Sequence, residues 1–229
     1  MPWWSRTSPP SSSPRSPDAL ARAQGFRLIA GVDEAGRGPW AGPVVAAAVV
    51  LREPVRARID DSKRLSPLQR ARSARAILAC ADVGFGIVSA DAIDRENIRR
   101  ASLEAMRQAA ADLSAPPELV LVDGRDLPVL PWTARAVVGG DRVSRVIAAA
   151  SIMAKVLRDE LMCFYESLYP GYAFRAHKGY GTERHAAALR SLGPSFLHRV
   201  TFRPVASASQ ACAPVDAVTQ APDALVSAS

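Results

Sequence analysis

Two strand-length apolar runs flank a glycine-rich turn in AGVDEAGRGPWAGPVVAAAVVL, residues 30–51, and this arrangement constrains the chain most. FRLIAGVDE and PVVAAAVVL read as neighbouring strands of a hairpin, joined through Gly36-Arg37-Gly38-Pro39. Two adjacent acids, Asp33 and Glu34, stand where the first strand gives way to the turn. Strands often end in charged turns, so this pair has to be weighed against the other acids.

The remaining segments alternate in type. SKRLSPLQRARSARAILACA predicts a helix capped by Ser66, with Pro67 at its first position and Leu68, Ile77 and Leu78 on its apolar stripe. VGFGIVSA predicts a third strand. DAIDRENIRRASLEAMRQAAADL predicts one amphipathic helix, with Ile93, Ile98, Leu103 and Met106 at helical spacing. ELVLVDG is nearly all apolar, the mark of a buried central strand, and ARAVVGGD reads as a fifth. SRVIAAASIMAKVLRDELMCFYESLY predicts a long helix closed by Pro170-Gly171. The order describes a mixed α/β sandwich. We expect one domain over residues 25–205, between low-complexity, disordered tails at 1–24 and 206–229.

With 229 residues, 48% of them hydrophobic, the chain can bury one sizeable core. The 29 Lys and Arg exceed the 22 Asp and Glu by seven, which favours a polyanionic partner, nucleic acid above all. Cys80, Cys163 and Cys212 are odd in number and widely spaced, which argues against a disulfide framework or zinc site. The longest apolar stretch, Val44 to Leu51, is too short to span a bilayer, and the Pro- and Ser-rich N-terminus lacks a secretory core. The expectation is a cytoplasmic protein with no membrane partner.

Asp33 and Glu34 end the first strand, Asp123 ends LVLVDG, and Asp141 ends AVVGGD. Singly, each reads as a turn acid. Together they place four carboxylates at strand ends, where open α/β sheets gather their sites. Such a cluster repels itself unless cations are present, and its oxygen donors suit Mg²⁺ or Mn²⁺. Two such ions support phosphodiester hydrolysis. Neighbouring strand residues point to opposite faces, so Asp33 and Glu34 share a site only if the strand has already broken toward the turn. Arg37, set between glycines, suits bidentate phosphate binding, and equally suits a solvated turn.

The blocks GVDEAGRGPWAGPVVAAAVV, DSKRLS, LVDG, GGD, AAASIMAKVLRD, HKGYGT and HRVTFRPV occur in this order between about Ile29 and Val205. In these the chain resembles type 2 ribonuclease H, specifically bacterial ribonuclease HII. The resemblance implies a ribonuclease H-like mixed β-sheet flanked by helices, with a C-terminal helical segment. It implies hydrolysis of the RNA strand of RNA–DNA hybrids and nicking 5′ of single ribonucleotides embedded in duplex DNA, leaving a 3′-hydroxyl and a 5′-phosphate. By it, Asp33, Glu34, Asp123 and Asp141 are the catalytic, metal-binding acids, taking Mn²⁺ or Mg²⁺. Gly36, Arg37 and Gly38 match the turn that senses the ribose 2′-hydroxyl, and Tyr180 the tyrosine that stacks on the following deoxyribose.

Lys63, Lys155 and Arg158 are candidates for contacting phosphate or holding the acids, and Asp159 is a weaker alternative to Asp141. His177 reads as structural or substrate-contacting before it reads as a proton shuttle. Trp40, Gly139 and Thr201 depart from the family's usual residues. The implied setting is DNA replication and repair, as a monomer; a replication-clamp partner is not assignable from sequence. Two other readings compete: a nucleic-acid binder without catalysis, and a DNA-cutting enzyme of related fold. Four intact acids argue against the first, and the Gly-Arg-Gly turn and Tyr180 against the second.

Overall fold

A computed structural model describes residues 16–211; the outer parts of both predicted tails, with Cys212, lie outside the described residues. Among the described residues the first element is a helix, α1 (Pro17–Ala23), followed by the antiparallel pair β1 (Ile29–Ala35) and β2 (Val44–Leu51). After a 3-10 turn at Ser62–Arg64 come α2 (Pro67–Leu78), β3 (Ala81–Val88), α3 (Ala90–Glu96) and α4 (Ile98–Ala111). Then follow β4 (Leu119–Asp123), β5 (Ala134–Val137), the short α5 (Gly140–Val143) and the long α6 (Arg145–Leu168). Three helices close the described residues: α7 (Phe174–His177), α8 (Glu183–Leu192) and α9 (Arg203–Ala211).

The sheet order is β3-β2-β1-β4-β5. β1, β2 and β3 pair antiparallel, while β4 runs parallel to both β1 and β5. β2 is alanine-rich and buries both faces. Val44, Ala46, Ala48 and Val50 meet α4, and Ala47 and Val49 meet α2 and α6. The small side chains let helices lie close to the sheet. At Gly31 the approach is closest: a Cβ there would lie 2.2 Å from the Val146 carbonyl carbon, so β1 supports the first turn of α6 directly.

Four sequence expectations change. The predicted helix over 91–113 is two helices, because Asn97 adopts φ 73 and its side chain accepts from the amides of Arg99 and Arg100, capping α4. In α2 the cap at Ser66 and the place of Pro67 hold, yet only Ile77 of the expected apolar stripe is buried; Leu68 and Leu78 face outward. The tail boundaries also move. Residues 17–23 form α1, whose buried Asp18 accepts from the amides of Arg145 and Val146 at 3.1 and 3.0 Å. A carboxylate distant in sequence thus caps α6, satisfying orphan N–H groups and meeting the positive end of its dipole. At the other end, α9 carries regular structure to Ala211, past the expected limit at 205. Finally, β5 stops at Val137, so Asp141 does not end a strand. It lies in α5, which starts after Gly139 turns the chain at φ 65.

Candidate active site

The parallel register builds the centre. Val32 of β1 sits opposite Val122 of β4, so the next residues, Asp33 and Asp123, come side by side where β1–β4 pairing ends, each still paired on its other edge, with Ala47 and Val137. Asp123 Oδ1 accepts from the Gly140 amide at 2.7 Å, tying the end of β4 to the turn that carries Asp141. A cavity of about 250 Å³ opens there. Asp33, Glu34, Asp123 and Asp141 all line it, together with Gly36, Arg37, Gly38, Lys63 and Tyr180. Nine residues singled out from sequence therefore share one cavity. Glu34 and Asp33 both line it although they are neighbours on β1, and the strand has not broken between them as expected: it stays paired with β2 through Ala35.

Electrostatics mark the acids as crowded. Asp33 is buried, and its carboxyl is held well above the usual carboxylate range by burial first, then by the charges of Glu34 and Asp123. The Ser151 hydroxyl and the Glu34 amide pull it partly back. Asp141 is raised by burial, by Asp123 and by Asp61, against Lys63 and Arg142. Three of the four acids already accept hydrogen bonds from the protein, Asp123 from the Gly140 amide. Glu34 takes Arg37 at 3.0 Å, and Asp33 takes the Glu34 amide at 2.7 Å. Among the described residues no three acidic, histidine or cysteine side chains converge tightly enough to grip an ion as they stand. The donor set still fits a hard divalent cation: four carboxylates face one cavity, two of them charged at a cost that a cation would remove.

Sequence reasoning left two polar cavity residues unnamed. Ser62 and Ser151 hydrogen-bond each other at 3.0 Å beneath the acids, inside two of the recognised blocks. Lys155, one turn beyond Ser151 on α6, lines the cavity; its Nζ is bonded to Asp159 at 2.7 Å and lies 5.8 Å from the Tyr180 ring centroid. Asp159 is thereby paired with Lys155 and does not line the cavity. Arg158 is buried and donates to the carbonyls of Ala41, Pro43 and Lys178, so it holds backbone and not phosphate. His177 binds the Tyr172 carbonyl and accepts from the Gly179 amide, a structural role. Of the departures, Trp40 packs beside His185 at 5.3 Å, and the Thr201 amide and hydroxyl both donate to Asp94.

The sequence pattern of the family described as Ribonuclease HII matches residues 30–205. This chain belongs to the ribonuclease HII family. Ribonuclease HII of Halorhodospira halophila is 54% identical over 191 residues, covering 81% of this chain and 97% of its own. That of Geotalea uraniireducens is 50% identical over 190 residues, covering 82% and 88%. Among solved structures, the Pyrococcus horikoshii ribonuclease H2 superposes with a TM-score of 0.69 at 26% identity, covering 80% of this chain and 98% of that one. Ribonuclease HII of Archaeoglobus fulgidus, in complex with PCNA, gives 0.66 at 26%, covering 77% and 95%. Membership makes the chain a ribonuclease H, a hydrolase acting on RNA in RNA–DNA hybrids, and removes the reading as a binder without catalysis. Among the described residues no helix is long and apolar enough to cross a membrane.

The two glycines of the turn differ in what surrounds them. Gly36 has φ 97, and a Cβ there would meet the Arg158 Nε at 2.0 Å and the Pro43 carbonyl at 2.8 Å. A Cβ at Gly38 meets only Tyr180, at 3.9 Å. Gly36→Ala is therefore expected to lose roughly 2–4 kcal/mol of stability through strain and overpacking. Gly38→Ala should melt within about 0.5 kcal/mol of the parent and lose activity by crowding the cavity. Urea unfolding of both variants beside their cleavage rates checks this; equal destabilisation would contradict it.

Proposed function

We propose that this cavity nicks duplex DNA on the 5′ side of a single embedded ribonucleotide, as well as cutting RNA–DNA hybrids, leaving a 3′-hydroxyl and a 5′-phosphate. The reading rests on one observation: four carboxylates, the Gly36-Arg37-Gly38 turn, Lys63 and Tyr180 face the same cavity. Asp33, Glu34, Asp123 and Asp141 hold divalent cations, Mg²⁺ or Mn²⁺. When bound, such ions provide Lewis-acid charge and a deprotonated water at neutral pH. The protein's own part is positional. Asp33 and Asp123 are fixed by parallel strands, and Asp141 by the Gly140 contact to Asp123. The Gly36–Gly38 backbone approaches the 2′-oxygen, the group that separates RNA from DNA. Tyr180 offers its exposed ring to the adjacent deoxyribose, and Lys63 and Lys155 meet phosphate. The enzyme works as a cytoplasmic monomer in replication and repair. The Archaeoglobus fulgidus complex makes a sliding clamp the candidate protein partner.

The test is cleavage of a duplex bearing one ribonucleotide, with Mg²⁺ or Mn²⁺, beside the same duplex built wholly of deoxynucleotides. A nick confined to the 5′ side of the ribonucleotide, and lost in Asp123→Asn, is the expected result. Cutting of both duplexes would show that the cavity does not read the ribose. Absence of nicking under either ion, with hybrids still cut, would restrict the activity to hybrids.

A further inference from the structure

Two arginines lie completely buried beneath the cavity, Arg158 and Arg199, and neither forms an ion pair among the described residues. An uncompensated buried cation is costly, so its hydrogen bonds must be unusually complete. Arg199 meets that demand with carbonyls alone. Its Nε and Nη2 both donate to Gly42, at 3.0 and 2.8 Å; Nη2 also donates to Gly36 at 2.6 Å, and Nη1 to Arg37 at 2.9 Å. Gly36 and Gly42 stand near opposite ends of the connection between β1 and β2, so one guanidinium closes that loop on itself.

The bonds fix more than position. In a trans peptide the carbonyl and the following N–H point in opposite directions. Drawing the Gly36 and Arg37 carbonyls down onto Arg199 therefore turns the Arg37 and Gly38 amides away from it, on the cavity side of the turn. Neither amide donates to a main-chain acceptor among the described residues. Two adjacent open N–H groups form a concavity suited to an electron-rich oxygen.

We propose that Arg199 is a positioning residue for ribonucleotide recognition: by holding the Gly36 and Arg37 carbonyls it aims the Arg37 and Gly38 amides at the substrate's ribose. The inference rests on the reading of this turn given above and identifies what sets it. A lysine cannot replace the fork, since a single ammonium does not span successive carbonyls in fixed directions.

The experiment is binding, measured by fluorescence anisotropy in the Asp123→Asn protein with Mg²⁺, so that substrate survives. Two duplexes are compared, one carrying a single ribonucleotide and one wholly deoxy. Arg199→Lys and Arg199→Gln, checked for folding by circular dichroism, should lower the ratio of the two affinities at least about tenfold, the scale of lost charge-assisted hydrogen bonds. Affinity for the all-deoxy duplex should hold, which a general loss of structure would not allow. No preference in the parent protein overturns the reading of the turn, and this inference with it. A parent preference that survives in a folded Arg199→Lys overturns this inference alone. Should both variants fail to fold, amide exchange in the parent decides. Arg37 and Gly38 amides that exchange freely and are slowed only by the ribonucleotide duplex support the assignment. Amides protected before duplex is added, or slowed equally by both duplexes, refute it.

Discussion

Asp33→Asn is expected to abolish cleavage, by at least about 10³-fold, and in the presence of a chelator to raise the melting temperature. Both effects come from the same crowding. Asp33 is buried beside Glu34 and Asp123, and burial and these charges hold its carboxyl well above the ordinary range. A raised value means that the folded state holds this carboxyl's charge less readily than the unfolded chain does. Stability is therefore forfeited at pH 7 and regained as pH falls through the raised value. Asparagine keeps the shape and removes the charge. A few degrees is the expected gain, because roughly 1 kcal/mol moves the midpoint of a chain this size by about 2–4 °C. Adding Mg²⁺ or Mn²⁺ should reverse the order, since an ion bound by the folded state stabilises only the protein that can hold it. Melting curves of both proteins, with chelator and with each ion, check the crossing. Parent and variant responding alike to metal would remove Asp33 from the metal set, whatever the variant's activity.

The site was legible where its information is local. Apolar runs ending in acid announce strand ends, and the β1–β4 register does the rest by setting Asp33 beside Asp123. Asp141 was identifiable as an acid but not in its setting, because the left-handed Gly139 starts a helical turn that strand propensity does not reveal. The buried arginines were the hardest to read. Composition treats an arginine as surface charge, and the acceptors that make Arg199 tolerable inside come from residues 36, 37 and 42, far away in sequence. Residues 17–23 failed for a similar reason. Their neighbours are Pro- and Ser-rich, while what holds them in place is Asp18 capping a helix that starts at Arg145. Asn97 was the exception that local chemistry could have caught, since asparagine favours both caps and positive φ.

The largest effect of pH on folding should come from histidines outside the cavity. His177, His185 and His198 gather under the C-terminal helices, the first two stacked with ring centroids 4.4 Å apart. Their partners dictate their tautomers. The Tyr180 carbonyl can only accept, so His185 Nδ1 donates to it at 3.0 Å, leaving Nε2 to accept from His198 Nε2, also at 3.0 Å. His198 Nδ1 is then bare, and it receives the Ser195 amide at 2.9 Å. His177 follows the same rule, donating to the Tyr172 carbonyl and accepting from the Gly179 amide. Every ring is neutral, and an added proton would face a donor. Burial accordingly pushes His185 and His198 down to about 4, with neighbouring histidines adding to it, and lowers His177 as well. The unfolded chain takes up these protons near pH 6.5 while the folded state resists, so stability is complete above that pH and drains away toward pH 4. For His185 and His198 the loss approaches about 3 kcal/mol each at pH 4. Asp33 works in the opposite direction over part of this range, so the measurement belongs in the Asp33→Asn background. Urea midpoints there should fall steadily between pH 6.5 and 4.5. Imidazole NMR signals of the folded protein should stay at their neutral positions down to about pH 5. A histidine that titrates near 6.5 in the folded state would break the assigned chain of donors and acceptors.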